Sequence, residues 1–187
     1  MAGGGHSYDI LFNAIPDYTG QLMVVMFLFY SGYGIMESFK KKKSDYLNGF
    51  MSKRVFKTLF HYDIAVLLFL IVETLLGRTY STENYILSWT AWLSLGNSNW
   101  FVFDIIVLYI LSYIGLSLCS RYKFKMQAFL WYIFSASAVL FVLMFVVKSS
   151  ASYWWWDTIM TFPLGMLWSA YKDKIEHRLN NRKSYII

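Results

Sequence analysis

The chain has 187 residues, of which 57% are hydrophobic, 21% aromatic and only 15% charged, whereas soluble domains average about 25% charged residues. This composition excludes an ordinary soluble domain and predicts an all-α, polytopic helical membrane protein. The net charge of +6 does not indicate nucleic-acid binding, because the basic residues stand in short connections between apolar runs. A single cysteine and three dispersed histidines exclude an intrachain disulfide and predict neither a metal site nor a bound cofactor.

Five segments are predicted to cross the bilayer, since a spanning helix needs roughly 20 mostly apolar residues. A shorter apolar piece, residues 85–95, is predicted to be interfacial or re-entrant. Pro163 is predicted to kink the fifth span and to free the carbonyl four residues back. Residues 1–187 are expected to form one transmembrane domain with spans at 21–39, 58–77, 100–119, 126–147 and 153–171, a basic loop at 40–57 and a tail at 172–187.

The distribution of lysine and arginine predicts the orientation. The successive connections contain none, seven, one, three, one and five of these residues, and the basic loops of membrane proteins stay in the cytoplasm. We therefore expect the N-terminus outside and the C-terminus in the cytoplasm. Six tryptophans agree, because they fall at the predicted outer ends, where indoles prefer the interface: Trp89, Trp92, Trp100, Trp154, Trp155 and Trp156.

The basic loop contains a candidate binding site. If Ser52 caps the second span, Arg54, Lys57 and His61 share one helix face at the cytoplasmic surface. Such a cationic stripe suits a phosphate-bearing ligand, since arginine binds phosphate bidentately and lysine acts as a point charge. The alternative is that the stripe only anchors the topology and touches anionic lipid.

Two aspartates near the outer ends form a second candidate site. Asp104 lies about one turn inside the third span and Asp157 near the outer end of the fifth. Charged residues at depth usually face a polar cavity, so the pair is predicted to line an outward pocket, with Trp100 or Trp154 as a stacking surface for a sugar. The alternative is that both carboxylates simply reach water.

Several segments resemble a known family. Residues 27–65 contain an SGYG motif at Ser31–Gly34, a basic loop, and a pair of cations at Arg54 and Lys57. Together with Asn99-Trp100-Phe101 and the segment FPLGMLWSAYKDKIE (Phe162–Glu176), they resemble acyltransferase family 3, the bacterial membrane O-acyltransferases. In that comparison the chain is similar to the family's second to sixth helices.

The resemblance implies transfer of an acyl group, often acetyl, from cytoplasmic acyl-CoA to an extracytoplasmic carbohydrate or lipid-linked glycan. It implies residence in the bacterial inner membrane and makes Arg54 and Lys57 donor contacts, although Lys57 replaces an arginine and lacks its fork geometry. The family's catalytic histidine stands on its first helix, to which nothing here corresponds. The catalytic residue is therefore unassigned, and the resemblance implies that further helices, or other copies in a homo-oligomer, complete the enzyme.

A second hypothesis is a non-enzymatic membrane protein. In it, Asp63, Asp104 and Asp157 would serve a permeation path or contact partners in a small transport or assembly subunit.

Overall fold

The computed structural model describes residues 7–93, 100–149 and 155–181, and the side chains of residues 19–179 within those ranges. Every regular element in these ranges is helical, which confirms the predicted all-α class. The α-helices of the described part are α1 (Ser7–Lys42), α2 (Lys57–Leu75), α3 (Thr82–Trp89), α4 (Phe101–Tyr122), α5 (Met126–Val147) and α6 (Thr161–Asn181).

Four stretches of the described chain are long and apolar enough to cross a membrane. Their outer sides expose large apolar side chains such as Leu68 and Phe145, which lipid tails solvate but water does not. The chain is therefore an integral membrane protein. The four stretches correspond to the first four predicted spans and are Thr19–Tyr46, Met51–Leu75, Phe101–Tyr122 and Met126–Val147.

The fifth predicted span, residues 153–171, has the wrong bounds. Residues 155–160 form turns, and α6 begins only at Thr161. The charged side chains that follow Tyr171 on α6 leave this helix too polar to count among the membrane-length helices of the described chain. Pro163 lies in the first turn of α6. Backbone N–H groups in a first turn have no intrahelical acceptor, so the N–H that proline lacks breaks no helical hydrogen bond. The predicted kink is therefore also wrong.

The predicted basic loop, residues 40–57, is helical over most of its length. α1 continues through Lys42, a 3₁₀ helix covers Lys43–Tyr46, and a π-helix covers Met51–Phe56 and runs directly into α2. The prediction that Ser52 caps the second span is wrong, because Ser52 lies inside the π-helix.

Phe50 fixes this connection to the rest of the bundle. Its ring is buried and lies 5.4 Å from the ring centroid of Tyr46, 6.5 Å from that of Tyr109 and 5.7 Å from that of Tyr113. Tyr109 and Tyr113 belong to α4, so the connection folds back against the bundle instead of projecting from it.

The long helices alternate in direction, which gives the bundle two different ends. Lys40 in the last turn of α1, Lys43 just after α1 and Lys123 just after α4 line one groove, and we call this the basic end. Lys148, which follows α5, contacts Trp92 and Trp155 at the opposite end, which we call the tryptophan end.

The most extensive helix pair is α1 with α6, and glycine makes its close approach possible. A Cβ atom on Gly32 would overlap the backbone carbonyl of Phe162, and one on Gly165 would overlap the backbone carbonyl of Phe29. Small residues at membrane helix interfaces let backbones approach in this way. Because the obstructing atoms are backbone atoms, no rotamer change could make room for a side chain.

α4 packs against α5 around another glycine. Gly115 faces the ring of Tyr132, which a Cβ atom would approach to 2.6 Å. Ile105, Leu108 and Leu116 of α4 are completely buried, so this helix forms the centre of the bundle and positions the residues at both ends.

Candidate functional site

Arg54 lies in the π-helix and turns toward the bundle. Its side chain is half-buried, and its guanidinium carbon lies 6.0 Å from the ring centroid of Tyr109. π-Helical turns are rare and frequently occur at functional sites. No hydrogen bond or ion pair joins Arg54 to an acidic side chain in the described chain, so its charge remains available to an anionic ligand.

Lys57 and His61 do not accompany Arg54 into the bundle. Both side chains are exposed on α2, and the His61 ring lies 5.9 Å from that of Phe60, which is itself exposed. The structure therefore separates the predicted stripe into one inward-facing arginine and two surface residues. The predicted shared face assumed regular α-helical turns, and the π-helix changes that register.

A groove of about 430 Å³ at the basic end is lined by lysines from two distant parts of the chain, which were not predicted to form one site. It lies between the ends of α1 and α4 and the start of α5. Lys43 and Lys123 have φ angles of +49° and +54°, in the left-handed region that side-chain-bearing residues rarely adopt. The residues that line the groove are Phe39, Lys40, Lys43, Ser44, Cys119, Ser120, Lys123 and Met126. One sequence signal could have indicated this groove. The connection after α1 and the connection between α4 and α5 were both predicted to lie on the cytoplasmic side of the membrane.

At the tryptophan end, Asp104 is completely buried. Neither of its carboxylate oxygens has a hydrogen-bond partner in the described part of the chain. A buried carboxylate without a donor is costly, and such groups in membrane proteins usually serve a function. Trp100, which directly precedes α4, lies with its ring 6.3 Å from that of Trp155.

Lys148 lies in the same region and was given no role by the sequence patterns. Its ammonium nitrogen donates a hydrogen bond of 2.9 Å to the carbonyl of Trp92. It also lies 4.2 and 4.3 Å from the ring centroids of Trp92 and Trp155, within cation–π range of both. Burial lowers the pKa of Lys148, and the Asp104 carboxylate partly offsets that effect.

Asp157 differs from Asp104 in its surroundings. Its side chain is exposed in the turns before α6, and one carboxylate oxygen accepts a hydrogen bond from the Gln21 side chain of α1. Asp157 therefore connects α1 to the turns before α6, while Asp104 is buried within electrostatic range of Lys148. Trp154, the alternative stacking residue, lies outside the described residues.

A polar network joins α1 and α6 near the basic end. Glu37 accepts hydrogen bonds from Ser169 at 2.7 Å and from Lys40 at 3.0 Å, and its carboxylate lies 3.3 Å from the Lys172 ammonium. Lys172 also donates to the Tyr33 hydroxyl at 2.8 Å. The Tyr33 bond and the Glu37 carboxylate raise the pKa of Lys172 above its usual range.

The two segments that carry the family resemblance therefore meet. Gly32 and Tyr33 of the SGYG motif contact Phe162 and Lys172 of the segment Phe162–Glu176. The contacts between these two segments pair α1 with α6. Helix packing can therefore explain why these residues occur together, without a catalytic role.

Comparisons with protein-family models, with curated proteins and with solved structures found no match to this chain. The resemblance to acyltransferase family 3 therefore stays a prediction.

The contacts of Lys148 predict a specific loss of stability. Lys148→Met should lower the free energy of unfolding by about 2 kcal/mol, because it removes a charged hydrogen bond and two cation–π contacts. Lys125→Met is the matched control, since Lys125 is an exposed lysine at the other end of α5. Reversible unfolding in detergent, followed by tryptophan fluorescence, measures both. Equal effects of the two substitutions would contradict the assigned contacts.

Proposed function

We propose that this chain is the donor- and acceptor-binding part of a membrane O-acyltransferase, which moves an acyl group from acyl-CoA to an extracytoplasmic carbohydrate. In this proposal the basic end faces the cytoplasm of a bacterial inner membrane, the N-terminus lies outside and the C-terminus lies inside. α6 then crosses as a fifth, partly polar helix packed against α1. The distribution of lysine and arginine along the sequence supports this orientation.

The observation that carries the proposal is the position of Arg54. Its guanidinium faces inward over Tyr109 and has no acidic partner among the described residues. The exposed Lys57 follows Arg54 by three residues. A phosphate oxygen of the donor can accept a bidentate pair of hydrogen bonds from this arginine. Lys57 and the groove lysines Lys43 and Lys123 add positive charge at the same end, and His61 lies on the same helix as Lys57.

The tryptophan end is proposed to receive the acceptor. Trp100, whose half-buried ring packs against the buried Trp155, offers a flat apolar surface for a sugar ring. Asp104 is completely buried and does not contact the sugar directly. Asp157 lies at the rim of this end and would contact only the outer part of a glycan. The acyl group would leave CoA and join a sugar hydroxyl. The proton of that hydroxyl would pass to a general base and then to the CoA sulfur, which departs as the thiol. Other helices or a second subunit would supply the base and the route between the two ends.

The test is acyl-CoA binding by the purified protein. Arg54→Ala should weaken the binding of radiolabelled acetyl-CoA on the order of tenfold or more, since it removes hydrogen bonds between charged groups. Lys57→Ala should have a smaller effect because Lys57 is exposed.

Arg121→Ala is the matched control for this measurement. Arg121 is another arginine at the basic end, its guanidinium carbon lies 5.9 Å from the Tyr122 ring, and its side chain is exposed. Unchanged affinity in a folded Arg54→Ala protein, or the same loss in Arg121→Ala, would remove the donor role of Arg54.

A non-enzymatic transport or assembly subunit is the second candidate. The observation in its favour is that Asp63 and Asp104 both have carboxylate oxygens that are buried without a partner in the described chain, within two of the membrane-length helices. Failure of the wild-type protein to bind acyl-CoA, combined with an ion flux in proteoliposomes that Asp104→Asn abolishes, would favour this candidate.

A further inference from the structure

An apolar groove runs along the outer side of α6 beside α1. It has a volume of about 740 Å³. Its walls come from one residue of α1 and from positions on α6 that recur at helical spacing, and so lie on one face. The lining residues are Phe29, Leu164, Leu167, Trp168, Tyr171, Lys174, Ile175 and Arg178.

The chemistry of this groove changes along its length. Leu164, Leu167 and Trp168 make its first part apolar, and Tyr171 marks the boundary. Lys174 and Arg178 then give it a basic end, and both side chains are exposed. The Lys174 ammonium lies 5.6 Å from the Tyr171 ring centroid, and no acidic side chain of the described chain pairs with either cation.

This order of groups matches one kind of occupant. A phospholipid has an apolar acyl chain followed by a phosphate, and an anionic headgroup adds further negative charge. Aromatic residues at the boundary and basic residues just beyond it are typical of the membrane interface.

We propose that the α1–α6 groove binds an anionic phospholipid. One acyl chain lies against Phe29 and Leu164, and the headgroup is held by Lys174 and Arg178. The bound lipid covers the apolar side of α6. Its acyl chain lies against the apolar first part of the helix, and its headgroup lies beside the charged residues that follow Tyr171. The groove and its basic end are separate from Arg54, so lipid binding is expected whether or not the chain binds acyl-CoA.

The experiment measures lipid binding to the purified full-length protein by native mass spectrometry. Phosphatidylglycerol and phosphatidylcholine are compared as probes. The wild-type protein should prefer phosphatidylglycerol, and the double variant Lys174→Gln/Arg178→Gln should lose roughly tenfold in affinity for it, since each basic residue near the surface contributes to anionic-lipid attraction. The matched control is Lys41→Gln/Lys42→Gln, which removes two exposed charges of α1 that do not line the groove, and it should keep the preference.

A second variant tests where the acyl chain lies. Leu164→Trp keeps both cations and partly fills the groove from an exposed position, so it should weaken the binding of both lipids several-fold. Equal affinity for the two lipids, or equal losses in the control pair, would overturn the headgroup assignment. Undiminished binding by Leu164→Trp would overturn the groove assignment. A lipid-free dimer that the wild type forms and Leu164→Trp does not would show that a second copy of the chain occupies this surface.

Discussion

Gly165→Ala is expected to lower the free energy of unfolding by about 3 kcal/mol, although alanine is a better helix former than glycine. The added methyl group would overlap the backbone carbonyl of Phe29, and only a separation of α1 from α6 could relieve the overlap. Reversible unfolding in detergent, followed by circular dichroism, measures the change. Gly32→Ala, which meets the carbonyl of Phe162 on the opposite helix, should have a similar effect.

Gly34→Ala provides the matched control for these substitutions. Gly34 lies on α1 two residues after Gly32, and a Cβ atom there would have no neighbour within 4 Å. The same chemical change should therefore leave stability unchanged or raise it by up to about 1 kcal/mol. A Gly165→Ala protein as stable as the Gly34→Ala protein would contradict the close approach of α1 and α6.

Glu37→Ala is expected to cost about 3 kcal/mol, because Glu37 is the acceptor on which the polar network between α1 and α6 converges. Its removal leaves the Ser169 hydroxyl without its acceptor and takes the nearest negative charge from Lys40 and Lys172. Unfolding in detergent again measures the loss. Glu37→Gln should recover part of it, because the amide oxygen can still accept from Ser169.

Glu176→Ala is the control for the network. Glu176 is an exposed acidic residue on α6 that takes no part in these hydrogen bonds, so its replacement should change stability by less than about 0.5 kcal/mol. If Glu37→Ala were as mild as Glu176→Ala, the network would contribute little to the pairing of the two helices.

Hydropathy predicted the interior of the bundle better than its ends. The span 126–147 matches α5 at both ends because Lys125 and Lys148 bound an uncharged, mostly apolar run. At the end of α1, hydropathy indicated a stop before Lys40, yet the helix continues to Lys42, since lysine is a good helix former and its charge can reach water. The last span was predicted to begin too early. Residues 155–160 belong to the same apolar stretch of sequence as the start of α6, but they form turns and not helix.

The candidate site was only partly predictable. Asp104 could be singled out because a charged residue within an apolar run is rare in membrane proteins, and Arg54 because it was predicted to share a helix face with Lys57 and His61. Their environments could not be predicted, since the π-helix that turns Arg54 inward has no signal in hydrophobic periodicity. Lys148 was missed because its importance depends on Trp92 and Trp155, which lie on other segments and approach it only through the packing of α4, α5 and α6.

The orientation of the bundle decides whether acyl-CoA can reach Arg54, and cysteine labelling measures it most directly. Cys119 is the only cysteine of the sequence, so Cys119→Ser gives a background into which Ser44→Cys or Ser149→Cys introduces one thiol. Ser44 is exposed at the basic end, and Ser149, which follows Lys148, is exposed at the tryptophan end. A membrane-impermeant maleimide should label the Ser149→Cys protein in intact spheroplasts and the Ser44→Cys protein only after lysis. Labelling of Ser44→Cys before lysis would place the basic end outside the cell and contradict the proposed donor site.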